Sequence, residues 1–98
     1  MNVIYGIGDD MTATSSVDIS EYAISIFARK PYPVGTTVQL HLATSQAENW
    51  IQVKAKVTRA EAGVMALEFM NFPKKEMAEL GDYLRELQAR GRSELIAV

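Results

Sequence analysis

The stretch Val17-Asp18-Ile19-Ser20-Glu21-Tyr22-Ala23-Ile24-Ser25-Ile26-Phe27 places a short polar elbow between two apolar, β-branched runs. Side chains of an extended chain alternate between faces, so Asp18 and Ser20 share one face and Ile19 takes the other. Ile24 and Ile26 resume the period of two, which makes Glu21-Tyr22-Ala23 the bend between two strands. An Asp beside a hydroxyl either fixes such a turn by accepting bonds from its backbone amides, or presents acceptors to a ligand.

Upstream of the elbow, Val3, Tyr5 and Ile7 alternate, Gly6-Ile7-Gly8-Asp9-Asp10 supplies turn residues, and Thr12-Ala13-Thr14-Ser15-Ser16-Val17 returns the chain as a hairpin. Gly6 and Gly8 fall short of a dinucleotide or P-loop motif, which needs a strand before, a helix after and more glycines. Asp9 and Asp10 fall short of the roughly six to eight oxygens that calcium takes. The Thr12 to Ser16 run reads as an exposed strand with hydrated hydroxyls, the sharper alternative being an edge that pairs with a partner strand.

Downstream, the prolines and Gly35 of Ala28-Arg29-Lys30-Pro31-Tyr32-Pro33-Val34-Gly35 exclude regular strand, so this is a loop. Arg29 and Lys30 are the first basic residues of the chain, read as solvated loop charges or, being close to the elbow in sequence, as phosphate contacts. From Thr37 to Leu42, Val38, Leu40 and Leu42 take one face while Thr37, Gln39 and His41 take the other, which directs His41 away from the core. Ser45-Gln46-Ala47-Glu48-Asn49 is a polar loop.

The longest strand runs from Trp50 to Arg59, with Ile51, Val53, Ala55 and Val57 inward and Trp50, Gln52, Lys54 and Lys56 outward. A Trp beside lysines covers the rim of a core with its indole N–H wet, or serves as a stacking platform where further aromatics join it. Ala60-Glu61-Ala62-Gly63 turns the chain, and Met65, Leu67 and Phe69 complete a hairpin. Asn71-Phe72-Pro73 ends the sheet, with Asn71 or Phe72 as the cap of a helix over residues 73–90. Met77, Leu80, Leu84 and Leu87 form its apolar stripe, Tyr83 flanks it, and Glu76, Glu79, Asp82, Glu86 and Arg90 lie outside. Arg85 and Arg90 suit the C-terminal end of its dipole, Gly91 is the expected stop, and the tail Ser93-Glu94-Leu95-Ile96-Ala97-Val98 docks on a sheet edge or frays.

Ninety-eight residues make one domain, with the strands expected over about 2–70, the helix over about 73–90 and a tail over 91–98. With no cysteine and one histidine, disulfides, thiolate catalysis and multi-histidine metal sites are excluded. A net charge of −2 gives no general attraction for nucleic acid or anionic lipid. No apolar run approaches the roughly eighteen residues of a membrane span and no signal-peptide pattern opens the chain, so a cytoplasmic protein without membrane insertion is expected. No nucleophile with a base, defined carboxylate pair or metal set is written here, so the expectation is that the protein is not an enzyme and has no cofactor.

The order Asp18-Ile19-Ser20-Glu21-Tyr22-Ala23, Pro33-Val34-Gly35, Val38-Gln39-Leu40-His41-Leu42 and Ala66-Leu67-Glu68-Phe69, spread across residues 17 to 87, resembles the PilZ domain. The resemblance implies a mainly β fold, a six-stranded antiparallel barrel with a C-terminal helix. It also implies bacterial cyclic di-GMP signalling, with motility, adhesion or pilus assembly as output. Two departures stand out. Nucleotide-binding PilZ domains carry Arg-x-x-x-Arg upstream of the Asp/Ser motif, and this chain has no arginine before Arg29. The motif's last glycine is Ala23 here, which costs about 1–2 kcal/mol if the backbone needs a positive φ.

The expected function is therefore a degenerate PilZ domain acting as an adaptor for a protein partner or a second copy, with weak or no nucleotide binding. The alternative is a true cyclic di-GMP receptor that uses substitute basic residues or an N-terminal arginine segment. If the nucleotide binds, the expected site is Asp18, Ser20, Ala23, Arg29, Lys30 and Arg59. The acidic balance disfavours a nucleic-acid partner.

Overall fold

The computed structural model describes residues 1–43 and 50–97, with side chains as far as residue 86. The expected polar loop at Ser45–Asn49 and the expected side-chain positions of Leu87 and Arg90 lie outside the described residues. Six strands precede one helix: β1 (Asn2–Ile7), β2 (Asp10–Ile19), β3 (Ala23–Phe27), β4 (Thr37–Ala43), β5 (Trp50–Glu61), β6 (Val64–Met70) and α1 (Lys74–Ala97). The strands close into an antiparallel barrel in the order β1-β2-β3-β6-β5-β4.

Alternation in the sequence becomes inside and outside of this barrel. Val38, Leu40 and Leu42 of β4 and Ile51, Val53, Ala55 and Val57 of β5 all point inward, none more than 4% exposed. Val3, Tyr5, Ile24, Ile26, Met65 and Leu67 complete the filling, and each fully buried aliphatic chain contributes about 1.5–3 kcal/mol. Leu80 of α1 is fully buried in the same core, so the helix closes one end of the barrel. Phe69 and Phe72, edge to face with centroids 5.1 Å apart, pack at the junction between β6 and that helix.

The first hairpin closes on a two-residue turn at Gly8 and Asp9, with Ile7 opposite Asp10. Gly6 is therefore a strand residue, and its missing side chain matters: a Cβ there would overlap the carbonyl oxygen of Asp10, a backbone atom. The loop before β4 is fastened by Thr36, whose amide and hydroxyl both donate to the Pro33 carbonyl at 3.1 and 2.7 Å. That turn docks on β5 through Gly35 N–H to Val57 O at 2.8 Å.

Four boundaries differ from the sequence reading. Ala23 opens β3 and is not part of the bend, because Ser20 and Ala23 pair directly across a turn whose middle residues are Glu21 and Tyr22. Strand β5 continues past Arg59 to Glu61, because a bulge at Thr58 shifts its register against β6 and lets the pairing run on to Glu61 opposite Val64. The turn is thus Ala62-Gly63 alone. The first helical hydrogen bond runs from Met77 N–H to Pro73 O at 2.9 Å, so Pro73 is the cap, in place of Asn71 or Phe72. Asn71 instead redirects the chain, with φ of 47° in the left-handed region. Finally, α1 passes through Gly91 to Ala97, so residues 91–97 are helix and not a tail. One glycine costs a helix about 1 kcal/mol, and its neighbours Gln88, Ala89, Arg90, Arg92 and Leu95 or Glu94 are residue types that favour helix.

Candidate functional site

The elbow between β2 and β3 is held by Ser20. Its Oγ accepts from the amides of Tyr22 and Ala23 at 3.2 and 3.1 Å, and its hydroxyl lies 3.4 Å from the Ala23 carbonyl oxygen. Its own amide donates to Ala23 O at 2.9 Å, and Phe69 N–H donates to Tyr22 O at 2.9 Å, which ties the bend to β6. Ser20 thus fastens the turn in the way its hydroxyl and spacing permit. Asp18 has a slighter role in the fold: among the described residues its Oδ1 accepts from the neighbouring Ile19 amide alone, at 2.9 Å, and the group is exposed. Ala23 avoids the left-handed region and bears no strain in standing where the motif has glycine.

Two hollows flank this elbow. On the barrel's outer surface a shallow one of about 110 Å³ brings Asp18, Ser20 and Ala23 together with Ser25, Thr58 and Ala66. A bulge at Val17 precedes these residues: Ser16 pairs with Ile26 but Asp18 pairs with Ser25, and Val17, 51% exposed, lies beside the second hollow. Toward α1 a larger hollow, about 540 Å³, lies between Val17 to Tyr22 and the helical residues Gly81, Leu84 and Arg85. Its charged groups are the carboxylates of Asp18 and Glu21 and the guanidinium of Arg85, which is already ion-paired with Asp82.

The six residues expected to meet a nucleotide do not form one cluster. Asp18, Ser20 and Ala23 share the outer hollow. Arg29 and Lys30 line a different groove with Tyr5, Phe27 and Tyr32, beyond the far end of β3. Arg59 shares a rung with the motif, through the pairings of Asp18 with Ser25, Ser25 with Ala66 and Ala66 with Arg59. Three strand spacings separate it from Asp18, about 14 Å, and it pairs at 3.5 Å with exposed Glu61. Sequence reading missed Glu21, Gly81 and Arg85 as neighbours of one hollow. The i,i+3 spacing of Asp82 and Arg85 was a visible signal for their pairing, but nothing local places α1 against the elbow.

Among the described residues no group of three His, Asp or Glu side chains is placed to hold a metal. Among those residues no helix is long and apolar enough to cross a membrane.

A closed antiparallel barrel with a polar motif between its second and third strands, and a C-terminal helix over that end, defines a small class of binding domain. The model of the PilZ domain matches residues 3–86, and the chain belongs to the PilZ family, whose domains serve cyclic di-GMP signalling. Among solved structures it is similar to the Bacillus subtilis inhibitor of motility, MotI/DgrA, with a TM-score of 0.73 and 19% identity over 90% of this chain. It spans only 46% of that longer chain. The PilZ domain of CeSA from a cellulose synthesizing bacterium matches with a TM-score of 0.68 and 13% identity, covering 89% of this chain and 91% of its own. An uncharacterized Legionella protein matches with a TM-score of 0.59 and 18% identity, covering 92% and 89%. At these identities the likeness is one of fold. No curated protein matches the chain by sequence.

Proposed function

We propose that this PilZ domain acts as an adaptor, presenting the elbow and the adjoining helix to a protein partner or a second copy, with weak or no binding of cyclic di-GMP. The observation that carries the reading is the charge of the elbow. Asp18 and Glu21 line the hollow toward α1, and among the described residues the single cation beside them, Arg85, is engaged by Asp82. A dianionic ligand meets carboxylates there. Each charged hydrogen bond is worth about 1.5–3 kcal/mol, so a site without two arginines forgoes about 3–6 kcal/mol, roughly two to four decades of affinity. Tyr22, 72% exposed, and Val17 give the same place apolar side chains of the kind that anchor protein contacts.

Calorimetric titration with cyclic di-GMP at low salt, together with melting in its presence, tests this reading. No saturable heat and an unmoved melting temperature are expected. Saturable micromolar binding overturns the adaptor reading in favour of a receptor. Arg59 is then the first residue to replace, since the strand register puts it on the rung of Asp18 and its partner Glu61 is solvent-exposed. An Arg59→Ala variant that binds as well as wild type would transfer the contacts to Arg29 and Lys30.

A further inference from the structure

At the end of the barrel away from the elbow lies a groove of about 760 Å³ that the elbow reading leaves unused. It arises from unequal strand pairing. β2 begins at Asp10 but its backbone pairs with β3 only from Ser16, so the ladder of Asp10–Ser15 is to β1 alone, and across the gap toward β3 the Thr14 hydroxyl donates to the Phe27 carbonyl at 2.8 Å. The chain leaving β3 is anchored beside this opening, because Ala28 is 4% exposed and its amide donates to Gly63 O at 3.0 Å. Arg29, Lys30 and Tyr32 are carried around the gap and line it.

The lining combines rings with positive charge. Tyr5 and Tyr32 meet edge to face, centroids 6.3 Å apart at 81°, and Phe27 is 53% exposed although it belongs to a strand. The side chains of Arg29 and Lys30 make no ion pair or hydrogen bond among the described residues, although Asp10 lines the same groove. Phe27 and the two cations contribute little to the fold where they stand, Phe27 being half exposed and the cations solvated, so they are available to a ligand.

We propose that this groove binds a small anion built on a planar ring, a nucleoside or aryl monophosphate. The ring lies against Phe27 and the tyrosines, and the phosphate meets Arg29 and Lys30. The volume falls within the roughly 300–1,000 Å³ of small-molecule sites. Two cations against the one carboxylate of Asp10 leave a single positive charge, which suits a monophosphate better than a polyanion. The Tyr5 hydroxyl has no hydrogen-bond partner among the described residues. Like any tyrosine it is a protonated donor at neutral pH, and burial, helped by Tyr32 and Asp10, raises its pKa further.

Titrating the full chain with AMP while following its backbone amide resonances tests the proposal independently of cyclic di-GMP. Saturable shifts are expected at residues 12–14 and 27–32, with adenosine and inorganic phosphate each binding at least about tenfold more weakly. Arg29→Gln with Lys30→Gln, and separately Phe27→Ala, should each weaken AMP by about tenfold or more while the exposed positions leave the fold intact. Phenyl phosphate matching AMP assigns the groove to aryl phosphates in general, and phenyl phosphate about tenfold weaker assigns it to nucleotides. Absence of saturable shifts up to about 10 mM AMP overturns the proposal, as do shifts confined to residues 18–23 or binding that survives both variants.

Discussion

Gly81 of α1 faces the carboxylate of Glu21 so closely that a Cβ at position 81 would stand 3.1 Å from Glu21 Oε1. The helix thus lies close on the elbow at this point, with Leu80 beside Gly81 fully buried. Because the opposing atom is the far end of a flexible chain, it can give by a few tenths of an ångström. Gly81→Ala then keeps most of the helix-propensity gain, and a net stabilisation of about 0.5 kcal/mol is expected in urea unfolding. Gly81→Leu leaves no such room and should cost about 1–3 kcal/mol by lifting the helix. Equal losses for both variants would show that the approach is rigid.

The two polar residues of the motif should separate in the same assay. Ser20 accepts two backbone amides across the turn, so Ser20→Ala should cost about 0.5–1.5 kcal/mol. Asp18 accepts one, from its neighbour, on an exposed surface, so Asp18→Ala should stay within about 0.5 kcal/mol of wild type. A larger loss at Asp18 would mean that the carboxylate, not the hydroxyl, fastens the elbow.

Asn71 holds a φ of 47° where β6 hands over to the helix. Asn71→Ala should destabilise by about 1 kcal/mol, and Asn71→Gly should be neutral or slightly stabilising, since only glycine adopts this conformation without steric cost. Chemical unfolding of the pair decides it; an alanine variant as stable as glycine would show that the chain finds another way through the junction.

Tyr5 makes stability depend on alkaline pH. Its folded pKa is raised, chiefly by burial, so above the ordinary tyrosine value near 10 the folded state holds a proton that the unfolded chain has lost. Stability is therefore retained below that value and falls as pH rises through the raised folded pKa. As pH rises past the ordinary tyrosine value near 10, wild type should lose more melting temperature than Tyr5→Phe. Parallel curves would contradict it.

The inward and outward faces were legible because a strand's period is fixed by its geometry. Val38 to Leu42 and Ile51 to Val57 alternate, and burial follows them residue by residue. The PilZ fold was legible through the spacing of the elbow and its later companions. The bulges were not, since Val17 and Thr58 differ from their neighbours only in what stands across the ladder. The site was legible in part. Ser20 was recognisable as a turn residue from its type and place, whereas the company of Glu21, Gly81 and Arg85 depends on how α1 docks. Closeness in sequence misled for Arg29 and Lys30: a strand intervenes, and a strand carries its two ends apart.

That strand has a consequence of its own. Ala23 and Phe27 are the two ends of β3, about 13 Å apart along a rod hydrogen-bonded on both sides. An occupant of the Phe27 groove leaves the elbow's surface free, and a partner on Tyr22 leaves the groove unobstructed. Changes at such a separation add within about 0.5 kcal/mol when they share no neighbours. With the proposed partner surface at one end of that rod and the proposed groove at the other, substitution that silences either is expected to leave the other readable.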